Sequence, residues 1–231
     1  DYENYQFHAA FGKIHNFCAN DLGSFYLDIL KDRLYTCKQD SLARRSSQTV
    51  LFQILEALVR WVSPVLSFTA EETWRLYHKD IESVHLSEWY EDWVCSSEGA
   101  ITESDWLQVL NVRSEVNKVI ESSRNNGVIG SALEAEIELL CSFDLKKILS
   151  KFSGELRFVF ITSEAKVLSE NGEGEETEIE GLRIKISKTQ EQKCARCWHS
   201  RPKVGSIKDH PTLCNRCIDN IEGEGEDRLF A

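Results

Sequence analysis

Residues 133–139, Leu-Glu-Ala-Glu-Ile-Glu-Leu, alternate apolar and acidic at every position. A period of two puts Leu133, Ala135, Ile137 and Leu139 on one face of a half-buried strand and Glu134, Glu136 and Glu138 on the other. This stretch decides the fold, because the sequence before it repeats at three and four residues. Phe7, Phe11, Ile14, Cys18, Leu22, Phe25 and Ile29 form the stripe of one long helix within residues 2–36. Leu51, Ile54, Leu55, Leu58, Val59 and Val62 form a second stripe, which Pro64 should stop because proline lacks a donor and clashes with the preceding turn. Thr69-Ala-Glu-Glu72 has capping-box spacing and should open a third, shorter helix through Trp74 to Tyr77. Residues 1 to 80 thus read as an antiparallel helical bundle, followed by an aromatic connector, SVHLSEWYEDW at residues 83–93, draped over the bundle and its neighbour. Thr102-Glu-Ser-Asp105 again has capping-box spacing and precedes Trp106, Val109, Leu110, Val116, Val119 and Ile120, a fourth helix released at Asn125-Asn-Gly-Val-Ile-Gly130.

Beyond the alternating stretch, Ser142 can cap a short helix to Lys151, and ELRFVFI at residues 155–161 is apolar on both faces, as a central strand would be. LRIKIS at residues 182–187 alternates once more. Residues 171–181 hold five glutamates and three glycines and read as a solvated loop. No internal repeat is visible, and low complexity is confined to that loop and the EGEGED tail. The expected fold is therefore α+β and multidomain: a helical bundle with its connector over residues 1–97, a small α+β domain over 98–188, and a metal-binding segment over 189–231.

At 231 residues the chain is long enough for a sizeable core. Its formal charge of -11 argues against nucleic-acid binding over the whole surface and confines any phosphate-binding face to a patch. No apolar run approaches the roughly 18 residues of a membrane span and no signal peptide is evident, so a cytoplasmic protein without membrane attachment is expected. The eight cysteines of such a protein point to metal and buried thiols rather than disulfides. With no methionine there is no initiator, so the chain is expected to be either processed or an internal cut from something longer.

Cys194, Cys197, Cys214 and Cys217 stand as C-x2-C-x16-C-x2-C, within the spacing of a four-thiolate zinc site. Two cysteines three apart on a tight turn can aim both sulfurs at one ion, and the second pair completes a tetrahedron with bonds of about 2.3 Å. Four cysteines leave no position open for water, so one structural zinc is expected. The same thiolates could hold an iron–sulfur cluster, and a disulfide framework would require an oxidising compartment. A c-type haem is excluded because Trp198 follows the second cysteine. His199 and His210 read as surface histidines in the loop, or as substitute ligands.

From Lys188 to Asn220 seven basic residues stand against three acidic ones, a local charge of about +4. Trp198, beside Arg196 on a metal-ordered turn, could stack on an unpaired base or pack over the zinc turn. Cys18 and Cys141 sit at apolar positions and read as buried thiols, whereas Cys37 and Cys95 carry no readable role. Trp61, Trp74, Trp89 and Trp93 read as core or connector packing.

Three stretches together resemble a known family. SFYLDILKDRLYT with ALVRWVSPVLSFTAEETW resembles the anticodon-binding bundle of class I aminoacyl-tRNA synthetases of the isoleucine, valine and leucine group. LNVRSEVNKVIESSRNNGVIGSALEAEIEL resembles the α+β segment that follows it. CARCW, LCNRC and GEGEDRLFA are similar to the tail of the bacterial isoleucyl-tRNA synthetases; no heptad like the valine enzymes' terminal arm is present. The resemblance covers nearly the whole chain. It implies recognition of the anticodon stem-loop of isoleucine tRNA in support of ATP-dependent ligation. The HIGH-type and KMSKS-type signatures that hold ATP occur nowhere in these residues, so ATP would bind only to an absent catalytic domain, and the fragment would be inactive alone. The resemblance gives no catalytic residue here and implies tRNA contacts from Arg196 and Trp198; the basic residues Arg201 and Lys203 of the tail join them. Bundle candidates are Lys31, Arg33, Lys38, Arg44 and Arg45 around the first interhelical turn, although Asp32 and Arg33 could instead serve intrahelical pairing or cap the bundle. A monomer is expected, with no DNA partner. The alternative is a zinc-ribbon module binding DNA or a protein, against which stands the lack of a base-reading helix after the metal site.

Overall fold

The computed structural model describes residues 1–80, 82–93, 99, 101–152 and 154–231. Cys95 and the expected domain boundary at residues 97 and 98 lie outside them. The chain divides into two compact units, one of Asp1–Lys31 with Arg44–Cys95 and the other of Asp32–Ala43 with Ser96–Ala231.

Helical backbone runs unbroken from Phe7 to Thr36, as α1 (Phe7–Asn16), a π-pitch segment (Phe17–Tyr26) and α2 (Leu27–Thr36). The π segment corrects one expectation. Its wider turn rotates the three-and-four stripe out of register, so Leu22 is buried but Cys18, expected as a buried thiol, is exposed. Gly23 permits the turn, since a Cβ there would lie 2.9 Å from the carbonyl oxygen of Cys18.

Helices α3 (Leu42–Val62) and α4 (Ser67–Tyr77) follow, with α3 ending just before Pro64. Helix α4 begins two residues earlier than expected and Thr69 lies inside its first turn; no capping box forms there. The first unit's core gathers Val59, Ala70, Val84 and Trp74, the last 0% exposed, with Val62 and Tyr77 against them. Arg60 lies with its guanidinium 4.7 Å above the Trp74 ring and donates to the Glu56 carboxylate at 2.7 Å and the Glu88 carbonyl at 2.9 Å. The connector is fastened where Glu71 accepts from the Ser83 hydroxyl and the Val84 amide. Trp89 stacks on Tyr2 at 5.5 Å and Trp93 lies 6.4 Å from Trp61, so the expected packing of these tryptophans is observed.

In the second unit, α5 (Glu103–Asn125) opens on the expected capping box between Thr102 and Asp105. Its Val109, Val112 and Val116 are fully buried, and the helix lies against the sheet strand β4 and helix α6. The sheet has order β2-β1-β4-β3, with β1 (Ala135–Cys141), β2 (Glu164–Ser169), β3 (Glu175–Glu176) and β4 (Leu182–Lys188). Strand β1 is central, and the alternation that marked it is kept: Ile137 and Leu139 are buried while Glu138 faces Lys185 across the antiparallel register at 3.5 Å.

Strands β1 and β2 are parallel and so require a crossover, which α6 (Phe143–Ser150) and α7 (Leu156–Val159) supply. Helix α7 corrects the reading of residues 155–161 as a strand. Leu156, Phe158, Val159 and Phe160 are all buried around a half-buried Arg157, and periodicity cannot tell such a short buried helix from a central strand. The EGEGED stretch is tied down at Glu226, whose amide donates to the Asn220 side chain at 3.3 Å and whose carboxylate pairs with Arg216 at 3.2 Å, and the residues after it are held as well. The amides of Leu229, Phe230 and Ala231 donate to the Glu155 carboxylate at 2.8–2.9 Å. A last helix, α8 (Asn215–Glu222), begins inside the second cysteine pair. It was not anticipated, but its exposed positions include Asp219 and Glu222, the wrong charge for a base-reading helix. Among the described residues no helix is long and apolar enough to cross a membrane.

Candidate metal centre and nucleic-acid interface

Each cysteine pair lies on a tight turn. In the first, the Trp198 amide donates to the Cys194 carbonyl at 3.0 Å and the Cys194 amide to the His199 carbonyl at 2.9 Å. The second pair starts α8, with Cys214 as its N-cap. The connecting loop folds back through Ala195 to Thr212 and Gly205 to Leu213. Gly205 has φ +74°, and a Cβ there would lie 2.6 Å from the Pro211 carbonyl oxygen, so the loop closes only around glycine.

All four sulfurs are buried and lie within 4.8 Å of one another. Cys194 and Cys217 sulfurs are 3.7 Å apart, and those of Cys197 and Cys214 are 3.8 Å apart. A tetrahedron with metal–sulfur bonds of about 2.3 Å has edges of about 3.8 Å, so the donor set fits one zinc ion. Val204 and Leu213 pack over it. Thiol hydrogen bonds from Cys197 and Cys217 pull the Cys214 thiol well below its usual range, and the bond between Cys197 and Cys214 holds Cys197 high. A divalent metal displaces the thiol protons as it binds. With four buried thiolates and no open position, the ion would supply folding energy rather than chemistry.

Around this centre lies a charged cluster. Arg216, between Cys214 and Cys217, donates to both carboxylate oxygens of Asp32 at 2.7 Å, and Arg228 reaches the same carboxylate at 2.5 Å. Burial opposes the charge on Asp32, but the two guanidiniums hold its carboxyl below the usual range. Arg157, Arg216 and Arg228 lie 4.2, 5.0 and 3.4 Å from the centroid of the Phe158 ring. The partners of Asp32 in this cluster are Arg216 and Arg228, more than 180 residues away, and His199 at 3.7 Å, a separation that hid the cluster from sequence reasoning. His199, read as a surface residue, is only 4% exposed; its ring packs edge-on against Phe158. Burial pushes the imidazole down to about 4, and it stands outside the four-sulfur set. His210 pairs with Glu222 at 2.7 Å.

The predicted RNA-contacting residues fall into two groups. Trp198 is 61% exposed at φ +64°, with the Lys193 ammonium 5.7 Å from its ring centroid, and Lys203 is exposed at φ +64°. Lys31 and Arg45 are also exposed, with Lys31 donating to Asp28 at 2.7 Å and Arg45 to Gln48 at 2.9 Å on their own helices. Arg196, by contrast, donates to the carbonyls of Thr36 at 2.7 Å and Tyr35 at 3.3 Å, and Arg201 donates to the Ser163 carbonyl and Glu164 at 3.1 Å. Arg33 is buried, Arg44 half-buried, and Lys38 donates to the Gly223 carbonyl at 3.1 Å. Cys37, unassigned from sequence, is buried 3.6 Å from Glu226, and its thiol is pushed up to about 11 by burial. Cys141 is buried as expected, its thiol raised to about 12.

Comparison with known proteins adds to this geometry. The family described as "Anticodon-binding domain of tRNA ligase" matches residues 1–139, and that described as "Zinc finger found in FPG and IleRS" matches residues 191–220. The isoleucine–tRNA ligase of Acinetobacter baylyi is 48% identical over 231 residues, covering 100% of this chain and 24% of the relative. That of Methylococcus capsulatus is 51% identical over 234 residues, covering 99% of this chain and 25% of the relative. The chain thus spans about a quarter of the length of the curated relatives it matches.

Proposed function

We propose, from the premise that this chain belongs to the family of anticodon-binding domains of tRNA ligases, that it grips the anticodon stem-loop of an isoleucine tRNA for a longer ATP-dependent ligase. The observation that carries the reading is Trp198, an exposed indole held in a left-handed backbone conformation on a metal-ordered turn, in a segment of charge about +4. An aromatic in that setting stacks on a splayed base, while neighbouring cations fix register on phosphates.

The contacting set is Trp198 and Lys203 on the finger, joined by Lys193, with Lys31 and Arg45 on the bundle. Arg196, Arg201, Arg33 and Arg44 support the surface instead of touching RNA, because their guanidiniums are occupied or buried within the protein. Cys194, Cys197, Cys214 and Cys217 hold the zinc that fixes the turn under Trp198. In this reading the chain works as three parts, a bundle over residues 1–97, a junction domain over 98–188 and a zinc finger over 189–231. It catalyses nothing by itself, binds no DNA, acts in the cytoplasm and is monomeric.

The test is a titration of the zinc-loaded chain against isoleucine tRNA, the same tRNA with its anticodon changed, and a duplex DNA of similar length, all at one salt concentration. Preference for the unchanged anticodon is expected. Equal binding to all three reduces the surface to a general basic patch, and absence of binding to any would turn the finger toward a protein partner.

A further inference from the structure

Both cysteine pairs share one pattern, Cys-x-Arg-Cys: Cys194-Ala-Arg196-Cys197 and Cys214-Asn-Arg216-Cys217. Both arginines end on the last turns of α2. Arg196 donates to the Tyr35 and Thr36 carbonyls, and Arg216 to the Asp32 carboxylate and, at 2.5 Å, the Thr36 hydroxyl. The last carbonyls of a helix lack intrahelical partners and carry its partial negative charge, so cations placed there satisfy both needs.

Each arginine immediately precedes a ligand cysteine, so its backbone is fixed when that sulfur is tied to the ion. Helix α8 adds two bonds to the same turn. The Lys38 amide donates to the Asn220 side chain at 3.2 Å and the Lys38 ammonium to the Gly223 carbonyl at 3.1 Å. Among the described residues, one nitrogen of Arg157 is buried from solvent without a hydrogen-bond partner. A zinc held by four thiolates carries two net negative charges, which Arg216 lies beside.

We propose that the metal centre anchors the C-terminal end of α2 through Arg196 and Arg216, so that metal occupancy and the order of residues 32–43 are thermodynamically linked. Linkage of this kind is reciprocal: the metal orders the helix end, and the helix end strengthens the metal. The role lies beyond RNA contact, and its test needs no RNA.

Hydrogen exchange of the unaltered chain, zinc-loaded and after withdrawal of zinc by a chelator, reads the first direction. Amides of residues 33–41 are expected to exchange at least about tenfold faster without metal, together with residues 193–222, while those of β1 stay protected. If residues 33–41 keep their protection, or β1 loses its own to the same extent, the proposal fails. Competition with a chromophoric chelator reads the other direction. Asp32→Asn and Arg196→Lys should each weaken zinc affinity, Asp32→Asn by about 10–100-fold, whereas Lys208→Ala should not. Zinc affinity of Asp32→Asn within twofold of the unaltered chain would overturn the proposal. The exchange arm uses the natural sequence, so a poorly folded variant cannot decide the outcome.

Discussion

The Lys193 ammonium stands 5.7 Å from the centroid of the Trp198 ring, and the Trp198 amide is tied to the Cys194 carbonyl, so the indole projects from a fixed backbone. A base stacking on the open face meets a ring already polarised by a cation. Trp198→Ala is expected to weaken tRNA binding by about 1–3 kcal/mol and to leave zinc content unchanged. Lys193→Ala should reduce the slope of log affinity against log salt by about 0.7. Affinity of Trp198→Ala equal to that of the parent would assign the indole to folding alone.

Metal removal separates the finger from the helical unit. Cys214→Ser deletes one ligand while leaving a residue suited to the N-cap of α8, and is expected to release zinc and open residues 190–220 to protease. The Trp74 core lies in the other unit and should keep its own unfolding transition. Full zinc content with unchanged protease resistance would contradict the four-sulfur assignment.

Much of this was legible in the sequence, and what was not has identifiable causes. The cysteine spacing and the period-two stretch at β1 are local patterns, and both are found where they were read. The π segment after Asn16 is not written in an apolar stripe, so Cys18 was placed on the wrong face. Residues 155–161 failed because complete burial erases periodicity. Asp32 failed because its meaning depends on Arg216 and Arg228, which no local pattern joins to it. The Cys-x-Arg-Cys pattern stands in the sequence as CARC and CNRC, yet only the structure shows where those arginines point.

Asp105 offers a pH signature. Its carboxylate accepts from Lys151 at 2.7 Å and from the Thr102 amide and hydroxyl at 2.8 Å, bonds that pull it from 3.8 to about 2. A carboxyl depressed by folding stabilises the native state fully above its unfolded value and loses that contribution as pH falls through its folded value. The stability difference between the parent and Asp105→Asn should therefore be constant above about pH 5 and shrink between 3.8 and about 2. Chemical denaturation across that window measures it, and a difference independent of pH would refute it.

Trp74 tests the first unit. It is 0% exposed, bears the Arg60 guanidinium on one face and lies 3.9 Å from the His78 ring. Trp74→Ala should cost about 3–5 kcal/mol in the unfolding of that unit, while zinc affinity stays at the parent's level. A stability loss below about 1 kcal/mol would mean that the cavity collapses or that this core is not what holds the helices.

The outer strand β3 consists only of Glu175 and Glu176, both exposed, paired against Ile184 and Arg183. An open sheet edge is a template on which a second polypeptide can add a strand and begin a stack. Here the template is two residues long and ends in carboxylates, with Gly172 and Gly174 beside it too closely packed against Leu140 to accept a side chain without a shift. A strand added there would find only two residues of ladder, and acidic side chains on it would be repelled by Glu175 and Glu176. The acidic loop that composition marks as solvated sequence thus leaves this edge of the sheet short and negatively charged, which disfavours pairing with another edge there.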